Sequence, residues 1–323
     1  MAGLLTRSRI GRGAAHRVTV VLVRRALLLA VLLAVVFAAV ELLPGDAATA
    51  TSERGETAAD VSERRRLLGL DRPLLVRFWE WMAGLPTGDL GVSARGVPVT
   101  EVLGGPFPNT LLLGGLALAV TTAASLALGC WASLRPGGGV DRLVGGSATA
   151  VLALPEFVVA VALLLVLSSW TGWFPAVTIT GPDGGVADWT MLVLPVLALS
   201  IPQIGWNTRI VRAALADEPT APHVETAVLD GLPRHRVLLH HMLPGAVPAI
   251  AIGLATSTGM LFGGAVVVET VFNYPGIGGV LTGAVTDRDA PLVAGVVALT
   301  GAVVTGVLLV ADLLRIRFTG GRA

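Results

Sequence analysis

The chain has 323 residues, 54% apolar and 14% charged, with a net charge of +1 and a mean hydropathy of +0.77. That balance excludes an ordinary soluble domain and describes a protein that crosses a membrane several times. All 23 basic residues are arginine, so a phosphate-binding G-x4-G-K-[ST] loop is absent and any ATP that drives the protein is bound by another polypeptide.

Residues 1–25 hold six arginines and His16 with no acid, followed by an apolar run at 26–40. A cleaved signal peptide, with Ala48-Thr49-Ala50 at the cut, is one reading. A retained first span at 18–43, with the tail 1–17 inside, is the simpler one, because several spans follow and the arginine excess orients the first. Residues 44–105 are too polar to span and mix acids with arginines evenly, so they form an external segment. Within it Leu67, Leu68, Leu70, Leu74, Leu75, Phe78 and Trp79 give an apolar helical stripe, with Trp81 beside it. That stripe suits the bilayer surface or the outer ends of the spans. Ser93 is expected to be open to outside reagents. An intramembrane protease reading of Asp89 fails for want of a second membrane aspartate.

Pro108-Asn109-Thr110 opens the second span, which runs to about 131. The third is expected at 143–169, with Pro155-Glu156 near its middle. Trp170, Trp173 and Trp189 bracket an external loop as interfacial anchors. The fourth, at 191–211, carries Pro195 and Pro202 and ends at Arg209 and Arg212, an inside end. The fifth, at 246–268, is rich in small residues; Gly259 and Gly263 make a G-x-x-x-G pair that serves packing within the chain or a dimer seam. The last runs at 292–314, and Arg315, Arg317 and Arg322 close the chain in an inside tail, 315–323. The reading is all-α, with six transmembrane helices, a core at 106–314 and both termini inside.

Few residues in the spans carry chemistry. Glu156 is the one charge well inside a span; its depth predicts a watery path, or a protonated carboxyl packed between helices against Gln203 or Asn207. All five histidines (16, 223, 235, 240 and 241) lie in inside segments without an H-E-x-x-H pattern, Cys130 is alone, and no G-x-S-x-G elbow exists, so no metal or catalytic centre is expected.

The polar loop 214–244 stands apart from the spans. It offers a short helix at 224–229, a glycine at 231 where such a helix stops, then Arg234, His235 and Arg236. Two short helices joined at a glycine make a knob for a partner to grip. Glu225, Thr226, Ala227, Gly231, Leu243 and Pro244 fall at the spacing E-A-A-x3-G-x9-I-x-L-P, with Thr226 in place of the first alanine and His241 in place of isoleucine. This resembles the cytoplasmic loop of importer permeases of the ABC class. L-L-P-G-D at 42–46, L-G-L-D-R-P-L at 68–74, G-D-L-G at 88–91 and V-V-V-E-T-V-F-N-Y-P-G-I-G-G at 266–279 resemble the permeases of dipeptide, oligopeptide and nickel importers, so that the likeness runs from 18 to 317.

The resemblance implies a type I importer permease fold in a bacterial plasma (inner) membrane. It implies a second homologous permease (or a second copy), two cytoplasmic ATPases that hold ATP and magnesium, and an external binding protein. No cofactor or nucleic acid is implied for this chain itself. Glu225 offers a carboxylate to its helix N-terminus or to an ATPase cation. The small Thr226 and Ala227 let the helix sit deep in a groove, Gly231 takes a positive φ, and Pro244 after Leu243 begins the return to the membrane. Short peptides are the expected cargo, since no histidine lies in a span or outside; nickel or a metal chelate is the alternative. A single-chain ion-coupled carrier and a membrane-embedded enzyme are the readings of other classes.

Overall fold

Where no water can pair the backbone, a chain must satisfy its own amide groups, and the apolar runs accordingly fold as helices. The computed structural model describes residues 2–52, 56–182 and 184–319, the side chains of 2–17, 220 and 318–319 excepted. The arginines of the tail 1–17, and Arg322, lie outside the described side chains.

Helix α1 spans Ala2–Glu41, and four short helices follow: α2 (Ala47–Ala50), α3 (Ala58–Leu67), α4 (Leu74–Gly84) and α5 (Val99–Gly104). Next come α6 (Pro106–Ser133), α7 (Gly139–Leu152), α8 (Glu156–Leu163) and α9 (Val193–Ala216). The short α10 (Pro222–Leu229) and α11 (Arg234–Val237) precede α12 (Leu243–Val271), α13 (Ile277–Thr286) and α14 (Ala290–Thr319). Among the described residues the extended pairing is limited to the bridges Val92–Pro98 and Thr180–Val186.

Five stretches are long and apolar enough to cross a membrane: Val18–Glu41, Val99–Ser133, Trp189–Ala216, Arg234–Val271 and Ala290–Arg317. The expected third span at 143–169 is not one continuous helix, and Pro155 does more than curve it. Its two halves, α7 and α8 with a wider π-helical turn at Leu164–Trp170, meet at a bend of 101° and make a sixth span only if counted together. The cause is Pro155, which supplies no amide to the helix before it and holds the backbone extended at φ −60° and ψ 143°.

The bundle is layered in the order α7–α9–α12–α14–α1, with α6 packed along α9 and α12. Small residues set the close approaches. A Cβ at Gly205 would stand 2.7 Å from the Ala148 carbonyl oxygen on α7, and one at Gly253 would stand 2.7 Å from Ile210 Cδ1 on α9. The G-x-x-x-G pair does not do this: Gly259 meets Val304 at an ordinary 3.7 Å, and Gly263 faces open space. Arg25 of α1 and Asp312 of α14 form an ion pair at 3.0 Å, which fixes the first span against the last.

The polar segment caps one end of the bundle. Its apolar stripe divides in two. Phe78 and Trp81 are buried against Phe37, with ring centroids 5.6 and 5.9 Å away, while Leu67, Leu75 and Trp79 stay exposed. Arg77 holds Glu41 through two hydrogen bonds of 2.7 and 2.9 Å, and Trp81 Nε1 donates to the Leu90 carbonyl. Ser93, expected to be open, is 3% exposed. Its turn is closed by the Ser93–Val97 backbone bond and by Asp289, which accepts the Ala94 amide at 2.6 Å.

Candidate functional site

The loop between α9 and α12 builds itself around a helix stop. Val224 and Ala227 lie on one face of α10 and are buried with Val237 of α11, alongside Leu232 and Met242. At the end of α10, Leu232 donates its amide to the Ala227 carbonyl and Gly231 donates to Val228. Those are the two bonds of a Schellman stop, and Gly231 takes the left-handed conformation it needs, with φ +74°. A Cβ at Gly231 would meet nothing within 4 Å, so conformation and not space selects glycine here.

The predicted loop residues are therefore together, with their orientations revised. Glu225 sits exposed in the first turn of α10. Thr226 is exposed and donates to the Pro222 carbonyl at 2.8 Å. Ala227 faces inward, onto Val224 and Val237, because the 3.6-residue period puts it three residues from Val224; it is not on the outer face. What faces outward is Val228 and Leu229, 59% and 80% exposed, an apolar pair that sequence reasoning passed over. Their position one and two residues after the buried Ala227 was the available signal. Leu243 and Pro244 open α12, but the chain does not turn there: helix runs without interruption over Arg234–Val271. The wider turn at Leu238–Met242 accommodates the missing proline amide.

Glu156, expected near the middle of the third span, is the first residue of α8, just past the break at Pro155. Its half-buried carboxylate takes a hydrogen bond from Gln203 of α9 and lies against Gly264 of α12, where a Cβ would collide with it. The open amides at the α8 N-terminus favour a negative charge there. Asn207, the other expected partner, is committed elsewhere, donating to Ser257 Oγ at 2.6 Å and to the Gln203 carbonyl at 2.9 Å.

A second buried carboxylate gives physical content to the 266–279 stretch. Glu269, 1% exposed at the end of α12, accepts the Thr110 hydroxyl of α6 at 2.6 Å and the Gly278 amide at 2.6 Å. Thr110 Oγ1 in turn accepts the Ile277 amide at 2.9 Å. The N-terminus of α13 is thus capped by two side chains from other helices. A Cβ on either Gly276 or Gly278 would strike the Glu269 carboxylate, which is why glycines flank Ile277. Asn109 donates to the Pro275 carbonyl at 2.8 Å, and Tyr274 returns its hydroxyl proton to the Asn109 carbonyl at 2.7 Å. The sequence motif drew attention to this run, but the partners in α6 lie too far away in sequence for local pattern to supply.

Comparison with known proteins decides the class. The family described as binding-protein-dependent transport system inner membrane component matches residues 125–318, and the N-terminal part of the same component matches residues 18–113. The chain belongs to this family. It is 32% identical over 280 residues to a probable peptide ABC transporter permease protein of Sinorhizobium fredii, covering 86% of this chain and 90% of the relative. It is also 32% identical over 268 residues to a glutathione transport system permease of Pectobacterium atrosepticum, covering 82% and 85%. A putative peptide transport system permease of Brucella abortus is 29% identical over 280 residues, covering 86% and 89%. The chain is therefore a multi-pass inner-membrane permease component with the all-α type I fold, working in a binding-protein-dependent system. In that setting the α10–α11 knob corresponds to the loop that the sequence singled out, and the bent α7–α8 pair makes a sixth crossing if its halves count as one span.

Proposed function

We propose that this chain is one of two permease subunits of an ATP-driven importer of short peptides. The observation that carries the proposal is the α10–α11 knob: a rigid, Schellman-stopped helix pair that presents Glu225, Thr226, Val228 and Leu229 outward from between two spans. Two cytoplasmic ATPases hold ATP and magnesium, and one of them grips this knob. Because helix is continuous from Arg234 into α12, a push on α11 is transmitted along the whole rod to the Glu269–Thr110 junction at its far end. ATP binding and hydrolysis supply the free energy difference between two arrangements of the spans.

In this reading both termini and the loop 214–244 are cytoplasmic, and 44–105 faces the external binding protein. The core 106–314 forms the path with a second homologous permease or a second copy, and lipid covers α1. The relatives named for peptide and glutathione transport support peptides over nickel. Glu156, held by Gln203 and a helix N-terminus beside the bend, is the residue that meets a peptide's ammonium group.

Reconstitution tests this. Vesicles holding this chain, its partner permease, the ATPases and a peptide-loaded binding protein should take up peptide only with ATP, while the purified chain alone should not hydrolyse ATP. Hydrolysis by the chain alone, or uptake driven by an ion gradient without the ATPases, would overturn the proposal.

A further inference from the structure

The knob and the adjoining end of the bundle each have an apolar core of their own, with a cavity between the two. Val224 and Val237 belong to the core of the knob, Leu134 and Leu238 to that of the bundle, and Met242 packs against both. These five side chains line the cavity, whose volume is about 570 Å³. Small-molecule sites run to roughly 300–1,000 Å³. Two arginines also line it: Arg135, in the turn after α6, and Arg234, the first residue of α11. Both are exposed, and neither side chain has an ion-pair or hydrogen-bond partner among the described residues. No carboxylate lines the cavity among the described residues. An apolar chamber with two unmatched permanent cations therefore separates the knob from the spans.

The level of this cavity in the membrane follows from the spans. The apolar stretch Val99–Ser133 ends two residues before Arg135, and the stretch Arg234–Val271 begins at Arg234 itself. Trp131, 54% exposed in the last turn of α6, is placed as an interfacial anchor. Leu239, 47% exposed next to the buried Leu238, sets the start of the rod against lipid. The two arginines therefore stand at the headgroup layer of the inner leaflet, which carries anionic lipids. Of the outward apolar pair on the knob, Val228 reaches the cavity and Leu229 does not. The cavity thus lies beside the tip that the ATPase grips, on the side of the membrane.

We propose that this cavity holds an anionic phospholipid of the inner leaflet, with its phosphate between Arg135 and Arg234 and one acyl chain on the apolar lining. A planar guanidinium suits a phosphate through two parallel hydrogen bonds. A basic pocket between helices on the cytoplasmic side is where such headgroups are bound. The lipid fills the space between the two cores, so a push on the knob reaches α6 through the lipid as well as α12 through the rod. The binding site stands apart from the importer reading; its effect on coupling rests on that reading.

The binding test titrates the purified full-length chain, in neutral detergent, with dioleoylphosphatidylglycerol and counts bound lipid by native mass spectrometry. The double variant Arg135→Gln with Arg234→Gln should bind roughly thirtyfold more weakly, the effect of two cations at an anionic headgroup. Arg142→Gln, an exposed arginine that does not line the cavity, should bind as the native chain does. Equal binding by the native chain and the double variant, or an equal loss in Arg142→Gln, overturns the proposal. Binding of phosphatidylcholine as tight as that of phosphatidylglycerol overturns it too. If the double variant does not insert, Ser133→Trp fills the cavity and leaves both arginines in place. It should weaken binding likewise, and native-like binding by it overturns the site. The effect on coupling is read in the complete reconstituted complex. Substrate-stimulated hydrolysis should rise several-fold with the phosphatidylglycerol share of the vesicle in the native complex and stay flat in the double variant. A double variant that loses the ATPases equally in every lipid assigns the arginines to the ATPase and overturns the proposal. No hydrolysis by the native complex in any lipid would instead sink the importer reading, while the titration of the chain alone still decides the site.

Discussion

Thr110 and Glu269, 159 residues apart in sequence, share a hydrogen bond of 2.6 Å at a point where three helices meet. The threonine hydroxyl also accepts the Ile277 amide, so one small side chain satisfies a buried carboxylate oxygen and a helix N-terminus together. Thr110→Val keeps the shape and removes both bonds. Each buried group left unpaired costs about 1–3 kcal/mol. The variant should therefore melt well below the native protein in detergent, and Thr110→Ser should recover most of the loss. Equal melting of the valine and serine variants would show that the hydroxyl is not what holds the junction.

Gly231 should accept asparagine far better than valine. A β-branched residue in the left-handed region costs on the order of 1–2 kcal/mol, and asparagine pays less of that cost. The α10 stop would tilt in Gly231→Val, and the complex should insert normally but lose substrate-stimulated ATP hydrolysis. Full transport by the valine variant would count against the knob as the coupling element.

Leu229 is exposed enough that replacing it leaves the fold alone. Leu229→Glu should keep the melting temperature and weaken retention of the ATPases by about 2 kcal/mol or more, as expected of an apolar anchor at an interface centre. Native-like co-purification of the ATPases would place the contact elsewhere.

Topology has a direct test once burial is considered. Ser93 is a poor reporter because it is buried, whereas Thr87 is exposed in the same segment. In a Cys130→Ser background, Thr87→Cys should react with an impermeant thiol reagent in intact cells and Arg236→Cys should not. The reverse pattern would invert the orientation.

Asp289 gives a pH dependence of definite sign. Burial pushes its carboxyl above the ordinary value of 3.8, against the Ala94 and Leu292 amides that pull it down; the Asp287 charge adds to the rise and Arg95 opposes it. A carboxyl with a raised folded value binds more protons folded than unfolded. Its contribution to stability is then largest in acid, falls as pH rises from its unfolded value through its folded one, and is flat above. Relative to Asp289→Asn, the native protein should lose melting temperature on going from acid to neutral pH. A relative gain would reverse the assignment.

The spans, the knob and the glycine stop were legible because each follows from local chemistry: apolar length, a 3.6-residue period and a residue that tolerates positive φ. Pro155 was visible too, but not the 101° bend, since a proline permits a break and packing sets its angle. The inward turn of Ala227 was decided by its fit against Val237, and the burial of Ser93 by Asp289, which arrives from the far end of the chain. The likeness of 266–279 to the family pointed to the right segment without revealing Thr110, because no local pattern encodes a bond between α6 and α12. Nor does any local pattern encode the pairing of Asp312, near the end of α14, with Arg25 of α1.

That last pairing sets a clock on biosynthesis. Arg25 and Asp312 are separated by 287 residues, so the first helix enters the bilayer long before its counter-charge exists. At roughly 5–20 residues per second, about 15–60 s of translation pass with the arginine unmatched. Until α14 emerges, α1 is held through its other end alone, by Glu41 against Arg77 and Phe37 against Phe78 and Trp81. A ribosome that stalls or terminates before Asp312 leaves that state permanent. The ion pair is thus among the last contacts of α1 to form, and a chain cut before Asp312 lacks it.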